Sequence, residues 1–365
     1  MQYRVRIIQP IVPEYRKALF DGLAERFGDR IDIMAAEQLG SDVSVPLDCM
    51  RFEYSHPFKR LGPLFWQENV NLNGLARGDV LVVCGDLHHL STMLLVVKAR
   101  LRGVRIVWWG HYRTATSRGW RVRVRLAIAK MLADVMLCYT RKGAQCLVQD
   151  GFDNNSVFFT GNTINQEPIK QAIATYDGMD RFNGKPGILF CSVLREKVQL
   201  DLAIRALSDP RLRDVCLAVI GDGPERSRYQ NLAREIGVDE RIIWLGETRD
   251  QKAMAPWFLS ARAFVYPGSV GLSILHSMSY GLPVIVHNNA EHQMPEFEVM
   301  EDGKTGLLFK EGDVGDLAEK IVTLIGDSAL RKNMAEHSQN LAFEKYTMDS
   351  MVDNYSRAIE AAAAK

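Results

Sequence analysis

Two basic side chains, Arg195 and Lys197, follow an apolar run in the second half of the chain. The run from Gly187 to Cys191 is strand-like, and the two cations lie between it and a helix-like stretch. A cation in such a loop can neutralise a phosphate through charge-assisted hydrogen bonds. A solvated pair of loop cations is the alternative interpretation, and this pattern alone does not separate the two.

A glycine-rich turn follows a later strand-like run, residues 263–266. Positions 267–272 read Pro-Gly-Ser-Val-Gly-Leu, and a helix-like stretch follows. Glycines let a backbone approach a ligand closely, and a helix that begins near Leu272 directs free N–H groups and the positive end of its dipole at an anion. This order predicts a diphosphate site, although a tight turn without a ligand has the same composition.

Polar side chains also follow strand-like runs in the first half. His111 comes shortly after the run 104–109, and its pKa allows it to exchange protons near neutral pH. Tyr15 and Arg16 come after the first run. The pair His88 and His89 has no third ligand nearby, so a polar lining is favoured over a metal site.

Two carboxylates, Glu291 and Glu296, lie in the segment after the strand-like run 283–286. Ionised carboxylates accept hydrogen bonds, so either acid could bind a ligand that carries hydroxyl groups. Solvated loop charges are the alternative interpretation.

The elements that must position these loops alternate between strands and helices. Such alternation predicts two doubly wound α/β domains, in which ligands bind beyond the carboxyl ends of the strands. Residues 162–186 are polar and lack a strong apolar period, which favours a linker there. The predicted strand-like runs are 3–8, 31–35, 80–84, 104–109, 135–139, 157–160, 187–193, 215–220, 241–245, 263–266, 283–286 and one near Leu307.

Composition excludes several classes of protein. The chain has 365 residues, a net charge of +1 and 47% hydrophobic residues, which is typical of a folded chain with about two domains and gives no global case for nucleic-acid binding. No apolar run approaches the ~20 residues of a membrane span, and the first residues lack a signal-peptide core. Six dispersed cysteines without metal or redox spacing favour a reducing compartment, so we expect a cytoplasmic protein.

Several motifs together resemble one family. They are Val219-Ile-Gly221-Asp222-Gly223-Pro224-Glu225, Ile243-Trp-Leu245-Gly246, Tyr266-Pro267 with Gly271-Leu272, Ser277-Met278 with Gly281-Leu-Pro283-Val284-Ile285, Pro295-Glu296, Asp302-Gly303 with Gly306-Leu307, and Asn162-Thr163-Ile164-Asn165. The chain resembles the retaining nucleotide-sugar glycosyltransferases of the GT-B fold, in the family-four (glycosyltransferase group 1) type and its bacterial polysaccharide-biosynthesis branch. The fold implied is two Rossmann-like domains facing across a cleft, with C-terminal helices.

The resemblance implies a donor site with departures from the family pattern. Lys197 matches the family's diphosphate-binding Lys, whereas Ser192 stands where the family has Arg, and Arg195 is a hypothetical replacement for that charge. The family's Glu-x7-Glu pair aligns with Gly268 and His276. His276 can still hydrogen-bond a ribose hydroxyl, and Glu291 or Glu296 can supply the sugar contact that Gly268 lacks.

The remaining implied roles complete the site. Catalytic residues are expected to be His111, beside the reacting sugar, and Lys197. Residues expected at the donor nucleotide and its diphosphate are Ser192, Arg195, Lys197, Gly246, Gly271, Leu272 and His276. Tyr15 and Arg16 are expected on the acceptor side. The donor is a nucleoside diphosphate sugar, and no metal and no further cofactor are expected.

Residues 118–131 alternate apolar and basic side chains and allow two interpretations. As a helix they flank an apolar face with Arg118, Arg121 and Arg125, which suits an anionic membrane surface. A helix packed on the first domain with its arginines in water, or a strand, fits as well. A peripheral position on the inner face of the cell membrane is therefore one expectation.

The sequence thus predicts a metal-independent retaining glycosyltransferase that adds a sugar to a glycan or lipid-linked acceptor. Expected domains are an acceptor domain at 1–165, a donor domain at 166–345, and a C-terminal helix at 346–365 that crosses back to the first domain. A non-catalytic scaffold relative and a sugar-nucleotide epimerase are the alternatives. A nicotinamide dehydrogenase is disfavoured, because no Gly-x-Gly-x-x-Gly follows the first strand.

Overall fold

A computed structural model describes residues 3–39, 42–47, 52–55, 58–110 and 120–365. The chain divides into two compact units. Unit 1 comprises Met1–Asn162 and Met348–Lys365, and unit 2 comprises Thr163–Thr347. His111 and Arg118 lie outside the described residues.

Unit 1 is built on a parallel sheet of seven strands, in the order β11-β10-β9-β8-β1-β2-β5. The short strands β3 with β4 and β6 with β7 form separate antiparallel pairs. The strands are β1 (Val5–Gln9), β2 (Ile31–Ala36), β3 (Gln38–Leu39), β4 (Asp42–Val43), β5 (Phe52–Ser55), β6 (Phe58–Leu61), β7 (Leu64–Gln67), β8 (Val80–Cys84), β9 (Arg105–Gly110), β10 (Val135–Cys138) and β11 (Val157–Phe159). The helices before unit 2 are α1 (Lys17–Phe27), α2 (Leu90–Leu101), α3 (Trp120–Leu132) and α4 (Arg141–Gln149).

Alternation along the strands explains the two buried clusters of unit 1. Successive side chains of a strand point to opposite faces, and both faces of this sheet are covered. In β1, Val5 and Ile7 belong to one cluster, whereas Ile8 belongs to the other. Arg6 is the charged member of this strand, and it is buried beside Asp32 and Asn71, each 2.9 Å from its guanidinium.

Unit 2 is built on a parallel sheet of six strands, in the order β14-β13-β12-β15-β16-β17. The strands are β12 (Gly187–Cys191), β13 (Cys216–Ile220), β14 (Ile242–Gly246), β15 (Ala263–Tyr266), β16 (Val284–His287) and β17 (Gly306–Phe309). The helices are α5 (Glu167–Ala174), α6 (Leu200–Ala206), α7 (Arg226–Glu235), α8 (Gln251–Ser260), α9 (Ser273–Ser279), α10 (Val314–Gly326) and α11 (Ser328–Asn340). A single large apolar cluster forms its core.

The last helix, α12 (Met348–Ala363), packs on unit 1 against α1 and strands β8–β11. Its buried side chains recur at helical spacing, at Met351, Tyr355, Ile359 and Ala362. A helix with such an apolar face is stabilised by the surface that it covers.

Each sheet has one point at which the strand order reverses. In unit 1 it lies between β1 and β8, and in unit 2 it lies between β12 and β15. The loops after the strands on either side of such a point diverge and leave a crevice, which is where open α/β sheets bind ligands. The fold therefore selects the loops after β1, β8, β12 and β15 as candidate sites.

The structure differs from the sequence expectations in three places. The polar segment 162–186 contains α5, which packs against α8. The edge strand β5 and the two short antiparallel pairs were not predicted, because their residues show no strong alternation. Residues 120–132 form helix α3, so the strand alternative for this basic segment was wrong.

Candidate functional site

The loops after β12 and β15 touch each other through their backbones. The two strands pair directly, with Ile188 opposite Ala263. Beyond their ends, the N–H of Gly268 donates to the carbonyl of Val198 at 3.1 Å, and the N–H of Ser269 donates to that of Lys197 at 3.3 Å. The glycine-rich turn and the cationic loop therefore form one structure at the reversal point of the sheet.

Gly268 has no room for a side chain. A β-carbon there would lie 2.2 Å from the carbonyl oxygen of Lys197 and 2.7 Å from the carbonyl carbon of Val198. Such distances are far inside van der Waals contact. The family pattern has a glutamate at this position, but its side chain does not fit on this backbone. The conformation of the loop therefore requires glycine here.

A second close approach holds the loop after β13 against the one after β12. Gly221 has a φ of 137°, and a β-carbon on it would lie 1.9 Å from the carbonyl oxygen of Ser192. The carbonyl of Gly246, at the end of β14, accepts from the N–H of Gly221 at 2.7 Å. In this structure Gly246 therefore holds the loop after β13 through its backbone carbonyl. The Ser192 hydroxyl is half-buried, 3.1 Å from that of Tyr266.

Arg195 and Lys197 are exposed on the loop that these contacts fix. The carbonyl of Arg195 accepts from the hydroxyl of Tyr229 at 3.1 Å. Neither cationic side chain has an ion pair with another described residue. The sequence and structure therefore present two unpaired positive charges next to the glycine-rich turn, which is the arrangement that a diphosphate requires.

Helix α9 begins immediately after Gly271 and Leu272, as predicted, but it has only seven residues. The N–H of Ile274, in its first turn, already donates to the carbonyl of Gly271 at 3.1 Å, and the dipole of so short a helix adds less than that of a long one. Glu296 is 6% exposed, and its Oε2 lies 4.0 Å from where a β-carbon on Gly271 would be. Of the two predicted acids, Glu296 therefore lies beside the turn, while Glu291 is exposed on the loop after β16.

Gln293 fixes the turn, and the sequence analysis missed it. Its Oε1 accepts from the N–H of Val270 at 2.7 Å, and its Nε2 donates to the carbonyl of His287 at 3.1 Å. The Ser269 hydroxyl also donates to the carbonyl of His292 at 2.7 Å. A lone glutamine in a loop carries no sequence signal for such a role.

His276 is held in an aromatic and amide environment. Its ring packs against Phe258 and Tyr280, with centroids at 4.7 Å and 5.5 Å. Its Nε2 lies 2.8 Å from Oε1 of Gln251, which also accepts from the Tyr280 hydroxyl at 2.9 Å. Burial lowers the pKa of His276 to about 4. The neutral ring therefore carries its proton on Nε2, which leaves Nδ1 as a hydrogen-bond acceptor.

The reversal point of unit 1 carries the other predicted residues. Tyr15 is 48% exposed in the turn after β1, whereas Arg16 beside it is buried. After β8, His88 bonds Asp86 at 2.6 Å and His89 is buried. Within the described residues, no group of His, Cys, Asp or Glu side chains could hold a metal ion.

Comparison with known proteins identifies the second unit. Residues 185–327, which include every loop of the unit 2 site, match the family model for glycosyl transferases group 1. These residues are therefore similar to a group 1 glycosyltransferase domain. Over this stretch the match confirms the family expected from the sequence motifs, while retention and the variant Glu-x7-Glu motif stay predictions.

Curated relatives match part of this chain over part of their own length. The chain is 30% identical over 148 residues to the lipopolysaccharide core biosynthesis glycosyltransferase LpsE of Rhizobium meliloti, which covers 40% of this chain and 42% of that protein. It is 27% identical over 142 residues to the N-acetyl-alpha-D-glucosaminyl L-malate synthase of Bacillus anthracis, covering 39% and 36%. The match thus spans less than half the length of each of these relatives.

Solved structures resemble this chain over almost its whole length. The crystal structure of Anabaena Alr3699/HepE in complex with UDP has a TM-score of 0.72 and 14% identity, covering 98% of this chain and 99% of that one. The apo form of the lipopolysaccharide outer core galactosyltransferase WaaB has a TM-score of 0.70 and 16% identity, with the same coverage. These similarities confirm the expected GT-B fold with its two Rossmann-like domains.

The steric argument at the glycine-rich turn predicts opposite outcomes for two glycines. Gly268→Ala should lower the free energy of unfolding by about 1–3 kcal/mol, because its methyl group collides with the Lys197 carbonyl. Gly271→Ala has space and an ordinary φ, so it should change that energy by less than about 0.5 kcal/mol. Urea unfolding measures both. Equal stability of the two variants would contradict the close approach.

The environment of His276 predicts a loss of stability on acidification. Its pKa of about 4 in the folded state lies below the ordinary value of 6.5, so below pH 6.5 the unfolded state binds more protons. The free energy of unfolding should therefore fall between about pH 6.5 and 4, and His276→Gln should remove part of this fall. Urea unfolding of both proteins across this range measures the difference. Parallel pH profiles would show that the ring titrates normally.

Proposed function

We propose that this protein transfers a sugar from a nucleoside diphosphate sugar to a hydroxyl of a glycan or lipid-linked acceptor, with retention, in bacterial cell-surface polysaccharide biosynthesis. The main support for the proposal is one observation. The residues that match the group 1 glycosyltransferase model include the loops at the reversal point of the unit 2 sheet. Two exposed, unpaired cations stand on one of these loops. A likeness in overall fold alone would not carry a function.

The names of related proteins support the donor and the setting. LpsE is named for lipopolysaccharide core biosynthesis, and Alr3699/HepE was crystallised with UDP-glucose as well as with UDP. We take a uridine diphosphate sugar as the first donor to test on that basis.

In the proposed mechanism, the protein stabilises the charge that develops on the departing diphosphate. Lys197 and Arg195 supply positive charge, and the first-turn N–H groups after Gly271 and Leu272 supply hydrogen bonds. Groups that are fixed before the reaction need no reorganisation as the charge forms, which makes such stabilisation effective. In this scheme the chain's own cations perform the task that a metal ion performs elsewhere.

The other predicted residues take supporting roles in this proposal. Glu296, buried beside Gly271, accepts hydrogen bonds from the donor sugar, with Glu291 as the alternative. His276 accepts from a ribose hydroxyl through Nδ1. The sequence-based roles of His111 at the reacting sugar and of Tyr15 at the acceptor stay predictions, and His111 lies outside the described residues.

Two alternatives use the same fold. A non-catalytic scaffold subunit would be consistent with the missing Glu-x7-Glu pair, and it would neither bind nor turn over any nucleotide sugar. A sugar-nucleotide epimerase would convert its substrate without an acceptor. Donor turnover that depends on an added acceptor distinguishes the proposed activity from both.

We further propose peripheral association with the inner face of the cell membrane. Residues 87–133 contain ten Lys and Arg and no Asp or Glu, although the whole chain carries a net charge of only +1. Helices α2 and α3 expose the apolar side chains Leu94, Val97, Leu101, Val124 and Met131. No helix among the described residues is long and apolar enough to span a bilayer. Apolar and basic side chains together favour an anionic lipid surface.

The membrane proposal predicts binding to vesicles that contain about 30% anionic lipid. Val124→Asp with Met131→Asp should abolish cosedimentation, because it places carboxylates on the docking face. Met179→Asp is the matched control, since Met179 is 59% exposed in unit 2. Binding by the wild type that survives in the double variant, or no binding by the wild type, would refute this surface.

The role of Lys197 predicts a kinetic effect. Lys197→Ala should lower kcat at least about tenfold, or more than about 1.4 kcal/mol of transition-state stabilisation, because one cation at the leaving group is lost. Lys332→Ala is the control, because Lys332 is exposed on α11, away from the strand-end loops. Release of UDP in the presence of acceptor measures both. Unchanged turnover in Lys197→Ala would remove the proposed phosphate role.

A further inference from the structure

Arg16 in unit 1 is a buried cation that has no polar partner among the described residues. Arg16 is 7% exposed, and its Nη1 atom is shielded from solvent and makes no hydrogen bond. Among the described residues it has no ion pair either. An unpaired charge in this position is costly, since removal from water is not compensated by a carboxylate.

Aromatic rings surround the guanidinium. Its central carbon lies 4.9 Å from the ring centre of Trp109, 5.0 Å from that of Tyr139 and 5.3 Å from that of Tyr15. Cation–π contacts of this kind recover only part of the cost of burying a charge, and they leave the N–H groups without acceptors. The rings therefore orient the guanidinium but do not provide hydrogen-bond acceptors for its N–H groups.

Two more buried donors in the same cluster lack partners. The indole Nε1 of Trp109 and the hydroxyl of Tyr355 make no hydrogen bond, and the two rings are in contact with centroids 4.9 Å apart. Burial raises the pKa of Tyr355 well above its ordinary value, so its hydroxyl keeps the proton that it can donate. We name Arg16, Trp109 and Tyr355 the donor cluster.

A second buried arginine of unit 1 differs from Arg16 because it has an ion pair. Arg6 is 6% exposed, nearly the same as Arg16, yet its guanidinium bonds the Asp32 carboxylate and the Asn71 side chain, each at 2.9 Å, although its Nε makes no hydrogen bond. The fold thus gives one buried arginine a carboxylate partner and the other none among the described residues. This contrast makes Arg6 a matched control.

The position of the donor cluster is that of a ligand site. Trp109 is the penultimate residue of β9, Tyr139 follows β10 directly, and Arg16 lies in the turn region after β1, beside the reversal point of the sheet. Within the described residues, a buried positive charge next to N–H and O–H donors that make no hydrogen bond is suited to an oxyanion.

We propose that the donor cluster binds an oxyanion, a phosphate or a carboxylate, carried by the acceptor substrate. The assignment to the acceptor rests on the proposed glycosyltransferase function, whereas binding of the oxyanion itself does not. Arg16 supplies the charge, and Trp109 and Tyr355 donate hydrogen bonds that fix the orientation of the group.

The test compares thermal unfolding of the wild type, Arg16→Met and Arg6→Met with inorganic phosphate, sodium acetate or sodium chloride at equal ionic strength. Phosphate or acetate should raise the melting temperature of the wild type by about 3 °C or more over chloride, as expected for a ligand present well above its Kd. Arg16→Met should lose most of this rise, with any remainder due to phosphate at the cationic loop of unit 2, and without ligand it should melt no lower than the wild type, because it removes an uncompensated charge.

Arg6→Met should melt several degrees lower than the wild type and retain the rise with phosphate or acetate. A rise with phosphate alone indicates a phosphate-bearing acceptor, and a rise with acetate alone indicates a carboxylate-bearing one. The proposal is overturned if neither anion stabilises the wild type, if Arg16→Met keeps the full rise, or if Arg16→Met without ligand is as destabilised as Arg6→Met.

The outcome is separable from that of the proposed function. UDP binding by calorimetry tests the unit 2 site, and phosphate binding through Arg16 tests unit 1. UDP binding without an Arg16-dependent oxyanion effect refutes the donor cluster alone. An Arg16-dependent effect without any binding of a nucleotide sugar refutes the glycosyltransferase while the oxyanion site stands.

Discussion

The unit 2 site depends on backbone contact between neighbouring loops. Where Gly268 meets Lys197 and where Gly221 meets Ser192, a β-carbon would lie 2.2 Å and 1.9 Å from a carbonyl oxygen. These approaches bring three strand-end loops together at the reversal point of the sheet, and they leave the cations of the first loop exposed beside the turn. Backbone contacts at positions where no side chain fits hold the cationic loop in place. The two positive charges therefore stay beside the turn.

The same close approach explains why the family's carboxylate is absent at Gly268. On sequence alone, Gly268 stands where the resembling family has an acid. The structure shows that this backbone position is closed to any side chain, while a buried carboxylate from a different loop, that of Glu296, lies beside Gly271. A turn that has no carboxylate at Gly268 but a buried one, Glu296, beside Gly271 is a physically coherent variant, and it is the reason that we favour an active enzyme over a scaffold.

Much of the fold follows from the sequence, since all twelve predicted strand-like runs overlap observed strands. Buried parallel strands are continuous apolar runs, which are the strongest local signal. The positions of Arg195, Lys197 and the turn before α9 were predictable because they directly follow such strands. Segments with weak patterns were not, as helix α5 in the expected linker shows.

Other parts of the site could not be predicted from the sequence. Gln251 and Gln293 act by hydrogen bonds to residues distant in sequence, and a glutamine in a helix or loop has no pattern that predicts this. Arg16 was expected on the acceptor side, but only the structure shows that it is buried without a partner. Burial and satisfaction of a charge are tertiary properties, so they are absent from any local motif.

A crystal structure of the protein with UDP tests the central claim most directly. The account predicts that the diphosphate lies within hydrogen-bond distance of Lys197 Nζ and of backbone N–H groups in the first turn after Gly271. A diphosphate bound at another place in the chain, with no contact to Lys197 or to that turn, would contradict it.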